Sequence, residues 1–118
     1  MMHIADSIKS DPDFAGLSLR CGDKSLQTML VVIEPFPLRS KPAVSIATPS
    51  GSMQFSASVL PPGAIILLPG EVSELIRGPL RGLPALSVRI EADGRLVSGS
   101  VPLAGIEGAI QALNCALQ

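Results

Sequence analysis

The sequence predicts a small, mainly β domain: an antiparallel sandwich or barrel-like fold of about seven strands, with two helices. Eleven glycines and eleven prolines divide its 118 residues into strand-sized segments. Two pairs of neighbouring segments alternate apolar and polar residues around short turns, which is typical of β-hairpins. The last part of the chain instead carries one amphipathic helical stripe. Several short strands closed by one helix favour a sandwich or small barrel.

The first predicted hairpin joins two strands through a loop at residues 22–25. Its first strand alternates polar residues with Leu17, Leu19 and Cys21. Its second strand, residues 26–33, is more uniformly apolar, as expected of a strand that is covered on both faces. Further along, residues 64–68 follow a Pro-Pro-Gly turn and are interpreted as a short buried strand.

Two tighter hairpins allow a prediction of register, because a two-residue turn fixes which residues face each other. A turn at residues 50 and 51 gives two apolar facing pairs: Ile46 with Phe55, and Val44 with Ala57. A turn at residues 93 and 94, a favoured Asp-Gly type I′ sequence, pairs Ile90 with Val97 and sets Arg89 opposite Ser98. A slip of one residue would spoil both patterns.

Two segments have helical spacing. Residues 71–77 have acids in the first turn, Arg77 at the end and a Gly-Pro stop after it. A second helix is predicted near residues 104–116, where an apolar stripe recurs at helical intervals: Ile106, Ile110, Leu113 and Leu117. These apolar side chains must be buried away from water, so we expect the C-terminal helix to pack on the sheet.

Length and charge limit the domain count and the partners. A chain of 118 residues matches one domain, and we expect a weakly ordered segment at residues 1–14 followed by a single β-rich domain at 15–118. Nine Lys and Arg against ten Asp and Glu provide no field that would attract nucleic acid. The apolar runs are far shorter than the ~20 residues of a membrane helix. Neither nucleic acid nor a membrane span is therefore expected.

The sequence offers little for catalysis. His3 is the only histidine, and no phosphate-binding loop pattern occurs. A metal site would need several ligands at close spacing, and an activated nucleophile needs a base within hydrogen-bond reach. Cys21 served by His3 would be the only candidate pair. We therefore predict no enzyme, no catalytic residue, no metal and no cofactor.

The two cysteines are the most informative pair of residues. Cys21 ends the first predicted strand and Cys115 lies in the last turn of the last helix, so a structural disulfide would close nearly the whole chain. The alternative is two separate buried thiols. One observation favours that alternative, because Cys115 is nine positions beyond Ile106 and hence about 180° from the apolar stripe of an ideal helix. A frayed last turn, or a strand that runs along the flank of the helix, would still allow the bridge.

Residues 34–42 form the most unusual local segment, with three prolines and two cations. Phe36, Arg39 and Lys41 could present an extended recognition edge to an acidic partner. The competing interpretation is a stiff crossover between sheets in which proline blocks edge pairing.

Two stretches resemble a known family. The stretch Leu60–Leu68 and the closing strand-to-helix stretch Ser100–Leu113 are similar to the invasion-associated locus B family, whose members are small exported bacterial β-sandwich proteins. The resemblance implies a sandwich exported to the periplasm, which agrees with a disulfide between Cys21 and Cys115. It supplies no catalytic residues.

The leading hypothesis is a non-enzymatic periplasmic or secreted β-sandwich that acts as an interaction module for an unknown protein partner. It would use an exposed strand edge or the segment from Phe36 to Lys41. The chain starts with no signal-peptide pattern, so the alternatives are a cytoplasmic protein or the mature part of a longer precursor. Two other functions stay open: a thiol-dependent enzyme or redox protein using Cys21, and a carrier of a small apolar ligand held between sheet and helix.

Overall fold

A computed structural model describes residues 2–22, 25–48, 51–78, 80 and 82–113. Along these residues the strands are β1 (Met2–Ile4), β2 (Phe14–Gly22), β3 (Ser25–Val32), β4 (Ala43–Thr48), β5 (Gly51–Ser56), β6 (Ser58–Leu60), β7 (Ile65–Leu67), β8 (Ala85–Ala92) and β9 (Arg95–Pro102). The helices are α1 (Gly70–Arg77) and α2 (Ile106–Leu113). A five-stranded antiparallel sheet has the order β1-β2-β3-β7-β6, and a four-stranded antiparallel sheet has the order β5-β4-β8-β9.

The predicted fold class is confirmed, since the domain is mainly β with two antiparallel sheets and two helices. The described residues contain nine strands where about seven were predicted. The two additional strands, β1 and β6, have only three residues each, which is too short for a periodic pattern to reveal. No helix in the described part of the chain is long and apolar enough to cross a membrane.

The hydrophobic core lies between the sheets and is built from alternate residues of their strands. Leu17 and Leu19 come from the five-stranded sheet, while Ile46 and Ile90 come from the four-stranded one, and all four side chains are buried. Alternation with period 2 directs one face of each strand inward. The aromatic side chains Phe14, Phe36 and Phe55 all join this core. Both sheets therefore share a single apolar interior.

The predicted register of the β8–β9 hairpin is confirmed. Ile90 pairs with Val97 and Arg89 pairs with Ser98. Asp93 and Gly94 have φ values of 53° and 77°, the left-handed conformation that a type I′ turn requires at both positions. The turn sequence thus determines the register of this hairpin.

The predicted register of the β4–β5 hairpin is wrong by two residues. Ile46 faces Met53 rather than Phe55, and Val44 faces Phe55 rather than Ala57. Because Thr48 pairs with Gly51, the two turn positions are 49 and 50, which lie outside the described residues. A slip of two keeps every side chain on its face, so apolar alternation alone could not distinguish the two registers.

The helices agree with the predicted segments. α1 contacts β3, where the buried Ser73 hydroxyl donates to the carbonyl of Leu26 over 2.9 Å and lies 2.9 Å from the hydroxyl of Thr28. α2 starts at Ile106, after Gly105 with a φ of 83°, and contacts β2. The part of the predicted C-terminal helix beyond residue 113 lies outside the described residues.

The N-terminal segment adds to the edges of both sheets. β1 pairs with β2, and the residues after β1 run along the outer edge of β9. There the backbone N–H of Asp6 donates to the Ser100 carbonyl over 2.8 Å, and that of Asp11 donates to the Ser98 carbonyl over 2.9 Å. In return Ser98 N–H donates to the Asp11 carboxylate over 2.8 Å and Ser100 N–H to the Ser10 hydroxyl over 2.9 Å. The β9 edge is thereby covered.

Candidate functional site

The outer face of the four-stranded sheet forms an open groove of about 710 Å³, which we call the outer groove. Side chains that point away from the core on these strands are mostly small: Ala43, Ser45, Ala47, Ser52, Ser87 and Ser98. Small side chains leave a depression between the larger ones at its rim. The outer groove therefore presents both hydroxyl groups and apolar side chains, the latter including Ala43, Ala47 and Leu96.

Among the residues that the structure describes, three charged side chains line the outer groove: Lys9, Arg89 and Glu91. Arg89 is exposed on β8, with Ser45 and Ser98 as its neighbours on the adjoining strands. A guanidinium flanked by hydroxyl groups suits polar groups such as the carbonyls and carboxylates of a polypeptide. The sequence predicted that Arg89 faces Ser98 on this hairpin, but it did not predict the depth of the outer groove, which depends on all four strands.

The outer groove ends at β5, the edge strand with the least protection. Of the four strands at the sheet edges, β1 and β6 have three residues each, and β6 is followed by the prolines 61 and 62. The edge of β9 is covered by the N-terminal segment. β5 has six residues, contains neither proline nor a charged residue, and is exposed at five of its six positions. Such an edge is a ready template for another strand.

Hydrogen-bond alternation identifies the backbone groups at the free edge of β5. The pair Thr48–Gly51 closes a two-residue hairpin turn and is therefore hydrogen-bonded, and hydrogen-bonded pairs recur at every second residue. Gly51, Met53 and Phe55 thus direct their backbone groups toward β4. The N–H and C=O groups of Ser52, Gln54 and Ser56 consequently point away from β4, to an edge with which no other strand of the described residues pairs. They supply three donors and three acceptors.

The segment at residues 34–42 is held against the domain by Arg95. Phe36 is 3% exposed and belongs to the core, with the Arg95 guanidinium 4.1 Å from its ring centroid. Arg95 also donates to the carbonyls of Glu34 and Pro35 over 2.9 and 3.1 Å and forms an ion pair with Asp13. Of the three predicted interaction residues, Phe36 is therefore inaccessible to a partner. Arg39 and Lys41 are exposed.

Replacing Arg95 by Met should lower the free energy of unfolding by about 2 kcal/mol, because it removes charge-assisted hydrogen bonds and a cation–π contact. Urea unfolding of purified protein measures the change. The matched control is Arg89→Met, which removes an exposed arginine from the same hairpin and should change stability by less than about 0.5 kcal/mol. Equal losses for the two variants would show that Arg95 does not anchor the segment.

Cys21 lies beside the end of α2. Its sulfur is 3.2 Å from the carbonyl oxygen of Leu113, two residues before Cys115. No free cysteine is found among the residues that the structure describes, and Cys115 itself lies outside them. The predicted pairing of Cys21 with Cys115 is accordingly a proposal, supported by this proximity.

The arrangement of β1 and β2 separates His3 from Cys21. His3 faces Leu17, four residues before Cys21 on the same strand. Four residues of a β-strand span roughly 13 Å, which is beyond hydrogen-bond reach for a general base. Because His3 is the only histidine, no histidine can activate this cysteine within the domain. The described residues also contain no group of three or more His, Cys, Asp or Glu that could hold a metal ion.

A second cavity of about 430 Å³ lies where α1 meets β3, lined by residues that include Leu26, Ser73 and Arg77. It lies between helix and sheet, where a carried apolar ligand was expected, but the charged residues Glu71, Glu74 and Arg77 are among its lining. The carrier hypothesis therefore stays a prediction.

Comparisons with protein-family models, curated proteins and solved structures find no match to this chain.

Proposed function

We propose that this protein is a non-enzymatic, exported interaction module that binds an extended segment of a partner protein along the free edge of β5. The observation that carries the proposal is the row of outward backbone groups on Ser52, Gln54 and Ser56. An added strand would satisfy these groups by main-chain hydrogen bonds, which is the mode of peptide recognition known as strand addition. The outer groove beside β5 would receive side chains of the added segment.

Export is the second part of the proposal, and it depends on the cysteines. The sulfur of Cys21 lies 3.2 Å from the carbonyl oxygen of Leu113, which precedes Cys115 by two positions in the sequence. A disulfide that joins the first hairpin to the C-terminus would persist only in an oxidising compartment, such as the periplasm or the extracellular space. The family resemblance of Leu60–Leu68 and Ser100–Leu113 supports the same localisation.

Selection from a random peptide library tests the binding function. The protein is immobilised at low density, which keeps neighbouring copies apart, and enriched peptides are then added to isotope-labelled protein in solution. We expect hydrogen exchange to slow at the amides of Ser52, Gln54 and Ser56, because these donors become paired.

The variant Gln54→Pro provides the specificity control. It removes an N–H that points to the free edge, so the sheet loses no internal hydrogen bond, and proline is tolerated at such edge positions. Selected peptides should lose at least about tenfold in affinity for this variant. Peptides that bind both proteins equally, or a selection on monomeric protein that enriches none, would refute strand addition at β5.

A further inference from the structure

We propose that the strand added at β5 is the β5 strand of a second copy, so that two protein chains form a dimer with one continuous eight-stranded sheet. This inference rests on the proposed function, because it names the partner of the same edge. The two copies would be related by a two-fold axis perpendicular to the sheet, which is the commonest symmetry of protein dimers. Each chain would contribute its four-stranded sheet.

Backbone geometry selects one register for this pairing. Directly opposed residues in an antiparallel pair must lie on the same face, and hydrogen-bonded pairs must come from residues whose backbone groups point outward. Placing the axis at Gln54 satisfies both requirements, because Gln54 then pairs with the partner's Gln54 and Ser52 with the partner's Ser56. All three outward donors and all three outward acceptors of each strand are used. Centring the axis on Met53 would pair fewer of them.

The side chains of β5 suit this register. Met53 and Phe55 lie on the same face of β5, the face that is turned toward the core. Phe55 is buried, whereas Met53 is 42% exposed. In the proposed register Met53 lies directly opposite the partner's Phe55, whose ring is 8% exposed and stays in the core of its own chain. The pairing would remove part of the exposed Met53 side chain from water, which is favourable. On the outer face, Gln54 meets the partner's Gln54, and two amide side chains can exchange hydrogen bonds across the axis.

Charge favours a second copy over a strongly charged partner. β5 contains no charged residue, so a strongly cationic or anionic strand would find no complementary charge along β5. Two copies place no like charges opposite each other along β5, and the chain as a whole carries a net charge of only -1. Nothing in the charge distribution of β5 therefore opposes self-association.

Sedimentation velocity over a concentration series is the first test of this inference. The wild-type protein should show a species of twice the 12.2-kDa chain mass, with a population that rises with concentration. In the same series, hydrogen exchange should slow at the amides of Ser52, Gln54 and Ser56 as the dimer forms. A dimer through any other surface would leave these three amides unprotected and would overturn the inference.

The variant Gln54→Lys places like charges across the axis and should raise the dimer dissociation constant at least about 100-fold. Gln111→Lys on the exposed face of α2 is the matched control and should leave the dissociation constant within about threefold. Thermal unfolding checks that both variants are folded. Dimers that persist in Gln54→Lys would overturn the inference.

Failure of the dimer and failure of the proposed function give different results. A wild-type protein that is monomeric at every concentration, yet binds selected peptides along β5, would eliminate the second copy and keep strand addition. A monomer that binds no peptide would eliminate both.

Discussion

Reduction of the protein is expected to lower its free energy of unfolding by about 4 kcal/mol, the largest single effect that we predict. A bridge between Cys21 and Cys115 would close a loop of about 100 residues, for which chain entropy gives 4 to 5 kcal/mol, and native strain reduces that figure. Protein that has never met a reductant should also show no free thiol after denaturation. Alkylation with intact mass measures the thiols, and urea unfolding with and without reductant measures the stability.

The variant Cys21→Ser separates the bridge from other effects of the reductant. It should lose about as much stability as the reduced wild type, and reductant should change it no further. Two free thiols in unreduced wild-type protein would contradict the bridge, and the proposal of export would lose its structural support. If the disulfide is present but its reduction leaves the free energy of unfolding unchanged, the bridge constrains the unfolded chain very little.

The hairpins show how far local sequence determines this fold. At β8–β9 the dipeptide Asp93-Gly94 adopts positive φ at both turn positions, so only one register was available and the prediction was confirmed. At β4–β5 a turn at residues 49 and 50 and a turn at residues 50 and 51 both keep the apolar side chains on one face. Side-chain alternation therefore could not distinguish the two registers. Turn chemistry therefore determines register where the turn sequence is distinctive, and side-chain alternation fixes only the face.

The candidate site was less predictable than the fold, because it depends on which strands are neighbours. The sheet order places β5 at an edge. The edge of β9 is covered through contacts with residues almost 90 positions earlier in the sequence, such as the contact of Asp11 with Ser98. No local pattern contains such information. The burial of Phe36 likewise depends on residues distant in sequence, because its ring packs in the core and Arg95 lies over it.

Replacing Gly99 by Ala is expected to cost about 3 kcal/mol of stability, at the upper end of what overpacking a core usually costs. Gly99 lies on the inward face of β9, between the buried Val97 and Val101. The ring of Phe14, from the opposite sheet, occupies the space where its side chain would be, and an added Cβ would lie less than 3.0 Å from three ring atoms. Because Phe14 is buried at 4% exposure, the ring has little room to move. Urea unfolding measures the loss.

Two further variants make this prediction specific to the contact between the sheets. Gly108→Ala is the same chemical change on α2, where an added Cβ meets nothing within 4 Å, and it should stabilise the protein by about 1 kcal/mol through helix propensity. The substitution Phe14→Leu removes the ring that an alanine at position 99 would meet. The double variant should therefore lose at least about 1 kcal/mol less stability than the sum of the two single losses, because the two substitutions share one contact. If the two losses simply add, Phe14 is not what requires glycine at position 99.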